Sequence, residues 1–100
     1  MKSGFIIRRL AEAQLTQAYH WYEARAPGLG TEFLRSFEAA CAQIGRQPKS
    51  SPIVFMDYRR NLLRKFPFGI FYAIEESGVV VAAVFHLARR PGSIHDHLSR

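Results

Sequence analysis

The sequence predicts an α+β fold in the order β-α-α-β-β-β, an N-terminal helical hairpin packed on a mainly antiparallel sheet. Three observations predict it. Apolar residues recur at helical spacing in two stretches of the first half. A Pro27-Gly28-Leu29-Gly30 break separates those stretches. From Arg59 onward the apolar period shortens to two, with short turns between runs, as expected for neighbouring antiparallel strands.

Phe5-Ile6-Ile7 is a short apolar run and predicts a first strand. From Leu10 to about Ala26, Leu15, Ala18, Tyr19 and Tyr22 share one helical face. Thr31 is expected to cap the second helix, with Glu32 in its first turn. Phe33, Phe37, Ala40, Cys41 and Ile44 continue that helix, and Gly45 and Pro48 end it. Lys49 to Pro52 predicts a loop, and Ile53-Val54-Phe55 a short extended piece.

Arg59 to Phe66 predicts a strand with a basic edge, interrupted by Pro67. Gly69 to Glu75 predicts the next strand, with Ile70, Tyr72 and Ile74 on one face and Phe71 and Ala73 on the other. Ser77-Gly78 supplies a turn. Val79 to Phe85 is apolar on both faces, which predicts a central strand covered on both sides. His86 to Arg100 is polar and basic, either a loose tail or a segment plugged by Ile94.

With 48% hydrophobic residues the chain has enough apolar surface for a core, so disorder is excluded on composition. Its 100 residues predict one domain spanning 1–100. The net charge of +6 points to nucleic acid, an acidic protein or an anionic surface as a partner. A lone cysteine, Cys41, makes no internal disulfide and fits a reducing compartment. It lies on the apolar helix face and predicts an inert packing group. The N-terminus carries no long apolar run, and none elsewhere is long enough to cross a bilayer, so a cytoplasmic location without membrane contact is expected.

Several stretches carry a family resemblance when taken in order. These are the aromatic pair Trp21-Tyr22, then Pro27-Gly28-Leu29-Gly30 leading to Phe33, and Arg59 opening a strand that runs into Phe66-Pro67-Phe68 and Phe71-Tyr72. Last comes an apolar strand ending in His86, followed by Arg89, Arg90 and Pro91. The set resembles the RelE/ParE toxins of type II toxin–antitoxin systems, and the Pro-Gly-Leu-Gly and Phe-Pro-Phe pieces resemble the ParE branch. The resemblance implies a RelE/ParE-like fold. It also implies a growth inhibitor that forms a hetero-oligomer with a cognate antitoxin and needs no cofactor or metal. Its target is DNA gyrase in the ParE branch, or messenger RNA on the ribosome in the ribonuclease branch.

A ribonuclease needs a base, an acid and cations over the phosphate. Arg59, Arg64, His86 and Arg89 are the candidates for such chemistry, with Tyr58 or Tyr72 as bases only under a strongly lowered pKa. The ribonuclease branch resembles a site with several lysines and a C-terminal tyrosine; here no tyrosine follows Tyr72 and no lysine follows Lys65. Arg60, Lys65, Arg90 and Trp21 are the candidates for binding a partner or target. Each has a plainer role beside it. The strand cations protect an edge, His86 is a hydrogen-bonded structural ring, and Trp21 and Tyr22 pack on the helix face. Alternation sets Arg60 and Arg64 on one face and Arg59 and Lys65 on the other. His95-Asp96-His97 lacks the spacing of a metal site. A third possibility is a non-toxic basic binding module. For the antitoxin, an acidic segment lying over the hairpin and sheet is expected.

Overall fold

The computed structural model describes residues 5–88 and 91–99. The elements run β1 (Phe5–Ile7), α1 (Arg9–Arg25), α2 (Leu29–Arg46), β2 (Ile53–Phe55), β3 (Tyr58–Leu62), β4 (Phe68–Glu75), β5 (Gly78–His86) and α3 (Pro91–Leu98). The sheet order is β1-β5-β4-β3-β2. Neighbours from β5 to β2 are antiparallel, whereas β1 lies parallel to β5, Ile6 opposite Val80. The fold is therefore α+β with a mostly antiparallel sheet, as the period change implied.

The hairpin packs on one face of the sheet. Phe33, Phe37, Ala40 and Ile44 recur at four, three and four residues along α2, so one stripe of that helix points inward. They meet Ala11 and Leu15 of α1, Ile70 and Tyr72 of β4, and Val79, Val81 and Val84 of β5. Truncating Phe33 or Ile44 to alanine would cost about 2–5 kcal/mol, because the surrounding layers collapse only partly onto the hole. Phe71 and Phe85 face the other way and are covered by Leu98 and Ile94 of α3.

The central strand β5 changes step once. Phe71 pairs with Ala83 but Tyr72 pairs with Val81, so Ala82 is an extra residue. The bulge resets the alternation, which puts Val79, Val81 and Val84 together under the hairpin. With the hairpin on one face and α3 on the other, every residue from Val79 to Phe85 is buried. β1 ends where Arg8 N–H reaches Val81 O. Past that point the outer edge of β5 is bare, and Gln14 of α1 covers it, its Oε1 accepting Val84 N–H at 2.7 Å.

The turn between the helices explains Pro-Gly-Leu-Gly physically. Gly28 sits at φ +89°, a left-handed conformation that costs glycine little. A Cβ on Gly30 would lie 2.7 Å from Tyr19 O and 2.8 Å from its ring, so only glycine lets α2 start this close to α1. Thr31 is not the cap. The helix begins at Leu29 with Gly28 in the cap position, and Thr31 is already inside the first turn. The cap comes from the preceding helix. Glu23 accepts Gly28 N–H through Oε2 and Gly30 N–H through Oε1, both at 2.9 Å. A carboxylate there also faces the positive end of the helix dipole.

One further expectation changes, and one open alternative is decided. The strand expected over Arg59 to Phe66 ends at Leu62; the chain then turns, with Lys65 at φ +73°, before β4 begins at Phe68. Arg64 and Lys65 therefore belong to a turn, and strand alternation does not set their directions. Of the two alternatives for the tail, the structure takes the plugged one between 91 and 98, with Ile94 packed on the cluster of Phe71 and Phe85. This segment forms α3, with Leu98 4% exposed and the His95 ring stacked 4.0 Å from Phe55.

Candidate functional site

The predicted cations and rings fall into three places. The first is the loop after α2. Arg59, on the hairpin-side face opposite Tyr72, donates from one guanidinium nitrogen to Lys49 O at 3.1 Å and Ser51 O at 2.8 Å. Tyr72 is fully buried and donates its hydroxyl to Pro48 O at 2.7 Å. Asn61 donates to Ser51 Oγ at 3.2 Å. Three side chains of the sheet thus tie down residues 48–51, satisfying carbonyls that follow the helix end. The Tyr72 hydroxyl hydrogen is thus engaged by a neutral carbonyl. Tyr58 lies at the far side of the sheet, where Arg8 reaches its hydroxyl at 3.5 Å and Glu75 at 3.7 Å. That exposed ion pair is worth about 0–1 kcal/mol.

The second place is an aromatic cleft of about 440 Å³ at the end of the hairpin, lined by Gln17, Trp21, Tyr22, Phe68 and His86 among others. Tyr22 stacks on Phe33 and meets Phe66 edge-on, so it is a packing group as its helical position implied, and burial pushes its phenol pKa up. Trp21 is not packed in the same way. It is 53% exposed, with the Arg25 guanidinium 4.1 Å over its ring. The packing role expected for it does not hold. It leaves an open aromatic surface beside the cleft.

His86 ends β5 and meets Phe68 edge-on. Its Nδ1 accepts Ala88 N–H at 3.0 Å. That bond takes up the Nδ1 lone pair. This agrees with a hydrogen-bonded structural role. Arg59 and His86 sit opposite Tyr72 and Phe68, four positions apart on β4, about 13 Å at roughly 3.3 Å per residue. The Arg59 guanidinium is turned to the loop carbonyls and not to His86. Arg89 and Arg90 lie outside the described residues.

The third place is the cleft of about 840 Å³ between α2 and the turn that follows β3. Arg64 and Lys65 form one wall, Arg35 and Arg46 the other. Ser36 Oγ donates to Arg64 O at 2.8 Å and fixes the turn against the helix. Arg60 lies on the opposite face of β3. Gly69 makes room for it, since a Cβ there would stand 3.2 Å from Arg60 Cγ. Its Nε is shielded and has no hydrogen-bond partner among the described residues. Sequence reasoning weighed the strand cations and overlooked Arg35 and Arg46. The signal was present: Glu32, Arg35, Gln43 and Arg46, with Ala39 among them, share the side of α2 away from Phe33 and Phe37.

Among the described residues no group of three or more His, Cys, Asp or Glu comes together to hold a metal. Among the described residues no helix is long and apolar enough to cross a membrane.

Comparison with known proteins matches these features to one family. The family model described as the ParE toxin of the type II toxin–antitoxin system parDE matches residues 5–91. No curated protein matches the chain. Among solved structures, a chain of the chromosomal ParDE toxin–antitoxin system from P. aeruginosa is similar at a TM-score of 0.63. Its sequence identity is 14%, and the match covers 85% of this chain and 96% of that one. At that identity the likeness speaks for the fold. The family match spans β1 through the start of α3, including the glycine turn, the Arg59 strand and the His86 end of β5, so the chain belongs to the ParE toxin family of type II toxin–antitoxin systems.

Proposed function

We propose that this chain is a growth-inhibiting toxin, held inactive by a cognate antitoxin protein, that acts by binding DNA gyrase rather than by cutting RNA. Family membership supports the toxin reading. The similar ParDE system contains an antitoxin, which supports a protein partner here. The ParE-like motifs support gyrase, the usual target of that branch. The observation that weighs most against cleavage is the engagement of the candidate groups. Arg59 holds two loop carbonyls, Tyr72 is buried on a third, and the available lone pair of His86 is taken by Ala88.

Purified chain added to gyrase and relaxed plasmid tests this reading. Inhibition of supercoiling is expected, without loss of ribosome-bound messenger RNA in cells that express the chain. Unimpaired supercoiling at large toxin excess overturns the gyrase assignment, and fragmented messenger RNA replaces it with ribonuclease action.

A further inference from the structure

The basic cleft beside α2 has the length, charge and backbone edge of a peptide-binding groove. Its α2 wall runs from Glu32 to Arg46, about 21 Å at 1.5 Å per residue. Arg35, Arg46, Arg64 and Lys65 line it against the single carboxylate of Glu32, and none of the four is in an ion pair among the described residues. Ala39, Ala40 and Phe66 lie between the cations.

The sheet edge at this cleft is open. Arg60 N–H points outward to Pro52 O, just before β2 begins. Alternation then turns the N–H and C=O of Leu62 outward too, beyond the end of β2. Opposite Leu62 the chain has already turned away at Ser50, whose N–H goes back to Gln47 O. A second cleft of about 420 Å³ occupies that gap and shares Gln43 and Leu62 with the first.

We propose that this cleft takes an extended acidic peptide segment of the partner protein, paired through its backbone with the Leu62 edge of β3. This rests on the reading above that the chain has a neutralising protein partner. The open edge selects a strand over a helix, because a helix pairs its own N–H and C=O groups internally and offers none to Leu62. Carboxylates on such a segment reach the four cations, its apolar side chains meet Ala39 and Phe66, and its main chain adds a strand where β2 stops. A DNA sugar-phosphate backbone matches less well, because it has no donor for the Leu62 carbonyl.

The test uses a synthetic peptide of about seven residues alternating glutamate and valine, the length that spans the groove at roughly 3.3 Å per residue. Binding to the full chain is followed by titration and by amide NMR shifts. Shifts are expected at Leu62, Ala39 and Gln43. Arg35→Glu with Arg46→Glu should weaken binding at least about tenfold. Arg9→Glu with Arg25→Glu, an equal change of net charge elsewhere, should change it less than about twofold. A peptide N-methylated at alternate residues keeps its charge but not its pairing and should also bind at least about tenfold more weakly.

Equal weakening by both double variants, or full binding of the N-methylated peptide, overturns the proposal, as does the absence of shifts at Leu62. Tighter binding of an oligo-dT strand at the same amides overturns it in favour of nucleic acid. Thermal midpoints of both double variants establish that they are folded. Growth arrest is scored separately. A chain that binds the peptide but arrests nothing loses the toxin reading and keeps the cleft. A chain that arrests growth but ignores the peptide loses only the cleft.

Discussion

Glu23 and Gly30 are joined across the helical hairpin: the carboxylate at the end of α1 accepts the Gly30 N–H at the start of α2, at 2.9 Å, while its other oxygen accepts Gly28 N–H. The bond does what a capping side chain normally does, from seven residues upstream. Glu23→Ala leaves those donors to water and removes a charge from the dipole's positive end. A loss of about 1–2 kcal/mol is expected in urea unfolding, with Glu23→Gln falling between. An unchanged midpoint in Glu23→Ala would show that the cap contributes nothing.

The glycine turn is sensitive for two different reasons. Gly30→Ala drives a Cβ to 2.7 Å from the Tyr19 carbonyl, a backbone atom that moves only if α1 moves. Gly28→Ala meets nothing within 4 Å but must hold φ +89°. Overpacking predicts about 1–3 kcal/mol for Gly30→Ala, and backbone strain about 1 kcal/mol for Gly28→Ala. Differential scanning calorimetry separates them. Equal losses would mean that helix contact is not what selects Gly30.

Arg59 and Tyr72 act together on the loop after α2. Tyr72→Phe keeps the buried ring and removes only the bond to Pro48 O, so about 1–2 kcal/mol of stability should go. Amide hydrogen exchange in residues 48–51 should speed up in Tyr72→Phe and in Arg59→Ala, while α1 amides keep their protection. If toxicity of folded Arg59→Lys falls with loop exchange unchanged, Arg59 contacts the target directly.

Cys41 gives a pH signature. Burial, and next the charge of Glu38, push its thiol up to about 12. The folded chain then keeps this proton in a range where the unfolded chain has lost it. The unfolded state binds fewer protons there, so stability falls as pH rises above the ordinary thiol range of about 8.5. Unfolding midpoints between pH 8 and 11 should decline, and Cys41→Ala should flatten part of the decline. Native chain should also react slowly with iodoacetamide at pH 8, and unfolded chain quickly. Rapid native labelling at that pH would contradict the burial.

The exposed face of α2 shows how far local pattern reaches. Phe33, Phe37, Ala40 and Ile44 announce the buried stripe because a helix repeats every 3.6 residues, and the alternation of Ile70, Phe71 and Tyr72 announces a strand with two apolar faces. The Pro27 to Gly30 break is equally local, since it reflects dihedral preference. The sequence by itself therefore determined the α+β class, the hairpin, the central place of β5 and, through its ordered motifs, the family. Only the tertiary structure decided the rest. It set β1 parallel to β5, absorbed Ala82 as a bulge, turned Lys65 off the strand, and laid α3 over Phe71 and Phe85. It likewise assigned Arg59 to loop carbonyls and brought Arg35 and Arg46 to face Arg64 and Lys65 across one cleft. Ser36 and Arg64 are 28 residues apart and meet only because the hairpin stacks on the sheet. Such contacts depend on how layers settle against one another, and neither period nor local propensity carries that information.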